Sequence, residues 1–152
     1  MQAGDLVGTW RLVSWESHRS DGTTVAPFGG APTTGLIVYT HDGFVSATLM
    51  QVDRSSLGRP VRSSADVAEA AGEAVEAAFK GYMAYCGTYS LADDGQTVTH
   101  HLECALYPDW VGTDLVRYGT LEGDRLTLTT PPIDVGGVEQ HGRLVWQRAA
   151  TA

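Results

Sequence analysis

Three side chains in this 152-residue chain have the type and placement to do chemistry in a hydrophobic enclosure: Arg117, His100 and Glu16. Each lies in a run of alternating character, on a face shared with apolar neighbours. Arg117 shares its face with Leu115, Gly119 and Leu121. His100 shares one with Val98, Leu102, Cys104 and Leu106, and Glu16 shares one with Trp10, Leu12, Ser14 and His18. A guanidinium among apolar groups must be paired or must meet a ligand carboxylate, enolate or carbonyl. Glu16 is a candidate partner or general base, with a pKa that burial would raise. His100 can donate, accept or move a proton near neutral pH. The structural alternative is a closed Arg–Glu or Arg–Tyr network with no ligand, or groups facing outward on solvated strands.

A second set reads as wall rather than chemistry. Tyr39, Tyr85, Tyr89 and Trp110 combine flat apolar area with one directional hydrogen bond, which suits a pocket for a polycyclic or polyene ligand. Leu115 and Cys104 extend the same inward faces, and Cys104 has no evident activating base, so it is expected to be a wall residue. Trp110 follows Pro108-Asp109 in a loop and could gate entry.

Other chemistries find less support. Adjacent His100 and His101 point to opposite faces of a strand and cannot chelate one ion, and neither His18 nor His141 completes a metal motif. No metal and no cofactor are expected. There is no Gly-x-Ser-x-Gly, and Gly29-Gly30 and Gly136-Gly137 lack the strand-to-helix setting of a phosphate loop. Two cysteines, Cys86 and Cys104, are too few for a disulfide framework. They fall on adjacent expected strands, where a disulfide is geometrically allowed, but reduced thiols are expected. A net charge of −8 argues against nucleic acid and anionic membranes as partners. No run approaches the roughly 20 apolar residues of a membrane span. Met1-Gln2-Ala3-Gly4-Asp5 carries no apolar signal core, so a cytoplasmic protein is expected.

These groups must be held by strands whose connections alternate in length. Tight glycine-bearing turns occur at Thr40–Gly43, Ala92–Gly95 and Glu122–Asp124. Between them come long connections, Ser17 to Thr34, Gln51 to Tyr82, Pro108 to Thr113 and Pro131 to Val138. In an up-and-down antiparallel sheet, successive turns fall at opposite ends, so the short ones gather at one end and the long ones at the other. The strands are Val7 to His18, Gly35 to Tyr39, Phe44 to Met50, Tyr85 to Leu91, Thr97 to Tyr107, Asp114 to Glu122, Arg125 to Thr130 and Glu139 to Gln147. Eight such strands suffice for a closed barrel that holds one small ligand. One helix is expected from Asp66 to about Tyr82, between the third and fourth strands, with Ser63 or Ser64 as N-cap and an apolar stripe of Ala71, Val75, Ala78, Phe79 and Tyr82. It would cap the mouth or pack outside the wall. Residues 1–152 read as a single domain.

The segments Leu6-Val7-Gly8-Thr9-Trp10-Arg11-Leu12, Gly35-Leu36-Ile37-Val38-Tyr39, Tyr85-Cys86-Gly87-Thr88-Tyr89, Pro108-Asp109-Trp110-Val111-Gly112-Thr113 and Arg143-Leu144-Val145-Trp146 together resemble the bacterial lipocalin-like domain family. The resemblance spans nearly the whole chain and implies an eight-stranded lipocalin-like β-barrel. It also implies that Trp10 plugs the closed end beneath a late basic residue, which Arg148 matches better than Arg143. Family members include binding proteins and domains beside natural-product pathways, and some lipocalin-like proteins cyclise or isomerise hydrophobic intermediates. The expectation is therefore a small-molecule-binding barrel that acts as a cofactor-free cyclase or isomerase in secondary metabolism. The alternative is a carrier that sequesters a hydrophobic metabolite unchanged. A homodimer is compatible with either reading.

Overall fold

Three tight turns set the strand order. Gly43 (φ 90°), Gly95 (φ 65°) and Gly123 (φ 59°) supply the left-handed residue that each turn requires. The computed structural model describes residues 1–150. The strands are β1 (Gly8–Arg19), β2 (Thr24–Val25), β3 (Thr33–Tyr39), β4 (Phe44–Gln51), β5 (Tyr82–Leu91), β6 (Thr97–Ala105), β7 (Asp114–Glu122), β8 (Arg125–Thr129), β9 (Ile133–Val135) and β10 (Val138–Arg148). All neighbours pair antiparallel in the order β1-β3-β4-β5-β6-β7-β8-β10, and β10 returns to pair with β1 from Trp10↔Arg148 to Arg19↔Gln140. The result is a closed eight-stranded barrel. Stretches read from the sequence as loops contribute β2 and β9, short flaps that extend β1 and β10 at the open end.

The closed end is built as the sequence resemblance implied. Trp10 is fully buried, and the Arg148 guanidinium lies 4.0 Å from its ring centre. Arg148 Nη1 donates to Val7 O and Nη2 to Asp5 O, each at 2.7 Å. Gly8 has φ 132°, and a β-carbon there would lie 3.0 Å from Arg148 Nη1, so two constraints favour glycine in Gly-x-Trp. A four-residue helix, α1 (Ala3–Leu6), precedes the first strand and closes the base. Its Leu6 is fully buried and accepts a 2.8 Å hydrogen bond from the Trp10 indole.

The expected single helix is two: α2 (Ser64–Ala68) and α3 (Gly72–Lys80). Ser63 caps the first as expected, its N–H donating to Asp66 Oδ2 at 2.8 Å. Ala71 then turns extended (φ −60°, ψ 134°) and begins the second, and Tyr82 belongs to β5. Neither helix has a fully buried residue, so packing does not hold the alanine-rich stretch in one piece. Phe79 instead packs edge-on against Tyr107 at the rim, ring centres 5.6 Å apart. No described helix is long and apolar enough to cross a membrane.

Two bulges decide which side chains face inward. In β1, Leu12 pairs with Trp146 but Ser14 pairs with Val145, leaving Val13 as an extra residue. In β6, Cys104 pairs with Cys86 while Leu102 pairs with Gly87, leaving Glu103 extra. Side chains alternate strictly along a strand, so each extra residue inverts every assignment beyond it.

Candidate functional site

The barrel encloses a cavity of about 540 Å³, open at the long-loop end. Its wall is mainly apolar. Ile37 and Leu49 come from β3 and β4, Leu115 from β7, Leu128 from β8, and Leu144 and Trp146 from β10. Trp15 and Ser17 join them from β1, beyond the Val13 bulge. Tyr107 and Trp110 frame the mouth with Pro131 and Ile133, and the two rings meet edge-on at 4.8 Å.

Arg117 projects into this wall from β7 as the sequence suggested. Its Nη1 donates to Val116 O at 2.8 Å, yet no carboxylate among the described residues lies within 4.0 Å of the guanidinium. A half-buried cation without a counter-charge is costly unless something else meets it. Trp146 also lines the cavity. The buried indole Nε1 of Trp146 has no hydrogen-bonding partner among the described residues.

Beneath Arg117 a polar chain crosses the core. His100 is fully buried. Its Nδ1 lies 3.0 Å from the Tyr85 hydroxyl and its Nε2 lies 2.8 Å from the Tyr39 hydroxyl. Burial, then the Arg117 charge, then His101 push the His100 pKa down to about 3, so the imidazole is neutral at physiological pH. Burial raises the Tyr85 pKa, and the nearby Arg117 guanidinium partly offsets that rise. The same burial holds Tyr39 well above the ordinary tyrosine value. Tyr89 stands edge-on to Tyr39 with ring centres 4.9 Å apart, and its hydroxyl donates to Thr40 O.

The sequence-derived candidates therefore separate. Arg117, Tyr85, Trp110 and Leu115 line the cavity together. His100, Tyr39 and Tyr89 lie below it, with His100 bonded to the cavity wall through Tyr85. Two residues expected inside are elsewhere. Glu16 lies past the Val13 bulge, outside the lining and 3.5 Å from His18, with 46% of its side chain accessible. Cys104 lies past the Glu103 bulge, exposed, and both thiols are free. The wall residues that sequence reasoning missed, Trp15, Ser17 and Trp146, come from β1 and β10. Trp146 was legible as the alternate partner of Leu144; Trp15 was hidden by the bulge.

A further cluster lies on the outer face. Ser90 Oγ is 3.0 Å from His101 Nε2, and His101 Nδ1 is 2.7 Å from Asp114 Oδ1. That is the contact order of nucleophile, base and orienting carboxylate. The Asp114 side chain is 59% accessible, so solvent screens it, and an open sheet face does not enclose an oxyanion. The apolar cavity is the better-built site.

The lipocalin-like domain family profile matches residues 7–149. A 4'-hydroxy-3'-methoxypropiophenone carrier protein of Aspergillus oryzae (strain ATCC 42149 / RIB 40) is 31% identical over 98 residues, covering 60% of this chain and 88% of that one. Among solved structures, a lipocalin-like protein from Bacteroides uniformis ATCC 8492 is 17% identical, with a TM-score of 0.46 over 96% of this chain and 100% of that one. The fluorescent protein UnaG is 16% identical, with a TM-score of 0.40 over 97% of this chain and 100% of its own. The profile match runs from the foot of the Gly-x-Trp strand to just past the Arg148 that covers its indole: the chain belongs to the lipocalin-like domain family.

Proposed function

We propose that the protein binds a small hydrophobic molecule in the barrel and holds it unchanged, with a polar end of the ligand at Arg117. The observation that carries this reading is a guanidinium with no carboxylate within 4.0 Å among the described residues, in a mainly apolar cavity of about 540 Å³, a volume suited to a compact aromatic metabolite. A ligand oxygen at Arg117 supplies the counterpart that no carboxylate among the described residues provides. Carriage is favoured over catalysis by what surrounds the cation. The buried imidazole has both nitrogens occupied by tyrosines and a pKa near 3, and Glu16 lies outside, so neither is poised as a general base. The relative is named as a carrier of an aryl ketone bearing a phenol, and that chemistry suits a mainly apolar wall that presents the Arg117 cation.

The cyclase or isomerase reading keeps one observation in its favour. Tyr85 beside Arg117 can polarise a carbonyl without any base. Incubation with 4'-hydroxy-3'-methoxypropiophenone, followed by calorimetry and by chemical analysis of the recovered compound, separates the two. Saturable binding with unchanged ligand is expected. Accumulation of a rearranged product would establish catalysis instead.

A further inference from the structure

The Tyr39–His100–Tyr85 chain contains an asymmetry that fixes where its protons go. A neutral imidazole has one donor nitrogen and one acceptor nitrogen, so one of the two tyrosines donates to it and the other accepts. Among the described residues, His100 is the only hydrogen-bonding partner of the Tyr39 hydroxyl, and Tyr39 is 1% exposed. If Tyr39 accepted from Nε2–H, its own proton would be buried with no acceptor, the arrangement that buried polar groups avoid. Tyr39 therefore donates to Nε2, the ring proton sits on Nδ1, and Nδ1–H donates to the Tyr85 oxygen. The Tyr85 proton is then left over. Tyr85 lines the cavity beside Arg117, whose Nη1 donates to Val116 O and whose guanidinium stands against the Tyr85 oxygen, which keeps that oxygen an acceptor and leaves its proton free to face the cavity.

We propose that Tyr85 and Arg117 form a two-donor clamp for one acceptor oxygen of the ligand, a ketone, carboxylate or phenolate oxygen. His100, locked as the Nδ1–H tautomer by Tyr39, is the positioning residue that turns the Tyr85 proton into the cavity. This rests on the reading of the cavity as a binding site and names the ligand class it selects. The clamp favours molecules that carry an exposed oxygen acceptor on an apolar body over hydrocarbons of the same shape. The neutral state of His100 across physiological pH is consistent with a fixed tautomer.

Two measurements test it. In ligand-free protein labelled with nitrogen-15 histidine, the His100 ring, assigned through its proximity to the Tyr39 and Tyr85 rings, should show a protonated Nδ1 and an unprotonated Nε2. The reverse pattern overturns the tautomer and the clamp with it. Binding of 2-acetylnaphthalene and 2-ethylnaphthalene, which share a ring system and differ by the carbonyl oxygen, should then be compared in wild type and Tyr85→Phe. The variant should lose about tenfold in affinity for the ketone and stay within about twofold for the hydrocarbon. Equal losses for both probes, or none for either, refute the clamp while leaving the cavity reading intact. Failure of both probes to bind wild type at all would refute that underlying reading instead.

Discussion

Replacing Arg117 with methionine asks whether the cation serves the fold or the ligand. The guanidinium has no carboxylate within 4.0 Å among the described residues; it donates to Val116 O and stands against the Tyr85 hydroxyl. Its loss from the folded protein costs about 1 kcal/mol for that bond, offset by the removal of a desolvated charge. Stability should therefore change by no more than about 1 kcal/mol in urea. A ligand anion in contact with the guanidinium gains about 1.5–3 kcal/mol from a charge-assisted hydrogen bond. At about 1.4 kcal/mol per factor of ten, Arg117→Met should weaken an anionic ligand by roughly ten- to a hundredfold. A matched pair of fluorescent probes isolates this effect. 1-Anilinonaphthalene-8-sulfonate and N-phenyl-1-naphthylamine share an aromatic body and differ by the sulfonate. Titrations should show the full loss for the sulfonate and less than about a threefold change for the neutral amine. Equal weakening of both probes, or a collapse of stability by more than about 3 kcal/mol, would mean that Arg117 supports the wall and anchors nothing.

Three other perturbations report on the frame. His100 takes up no proton in the folded protein until about pH 3, whereas in the unfolded chain it does so near its ordinary value of about 6.5. The unfolded state thus binds more protons in that window, and stability falls with pH by about 2 kcal/mol between pH 6.5 and 5; the urea midpoint of wild type should fall accordingly and that of His100→Gln should be flatter, and parallel slopes would contradict the assignment. Arg148→Ala removes the guanidinium over Trp10 and two backbone hydrogen bonds, so thermal unfolding should reveal a loss of about 2–4 kcal/mol, with probe affinity in the surviving folded protein unchanged. Gly87→Ala places a β-carbon 1.9 Å from the His101 carbonyl oxygen, so the bulge must rearrange; a loss of about 3 kcal/mol or more is expected, and a near-neutral result by the same assay would show that the two strands are not packed that closely.

What the sequence revealed and what it hid follow from the same alternation rule. On β7 and β8 the inward set of Leu115, Arg117, Leu126 and Leu128 could be read directly, because the short turn at Gly123 aligns the two strands without an irregularity. His100 and Tyr85 were legible for the same reason from the Ala92–Gly95 turn, as was the meeting of Trp10 with Arg148 from the closed-end geometry. Glu16 and Cys104 were misplaced because each lies one bulge farther from the turn that sets the register. Val13 and Glu103, the extra residues, are chemically ordinary, so composition carries no trace of either irregularity. Gly87 was the available hint, since a glycine in mid-strand often marks a bulge or the close approach of another backbone. The base helix α1 and the flaps β2 and β9 are too short for any periodicity to register. The candidate chemistry shifts as a result. With Glu16 outside, Arg117 has no carboxylate partner within 4.0 Å among the described residues, which favours the proposed anchor over an acid–base pair.

The position of a bound molecule tests most directly whether the barrel interior is the binding site. Intermolecular nuclear Overhauser effects between N-phenyl-1-naphthylamine and assigned side chains locate it without reference to affinity. Contacts with Trp15, Leu115 and Tyr85, residues from three different strands that meet only inside the barrel, are predicted. Contacts confined to outward residues such as Phe44 and Val135, with none to the interior set, would contradict it.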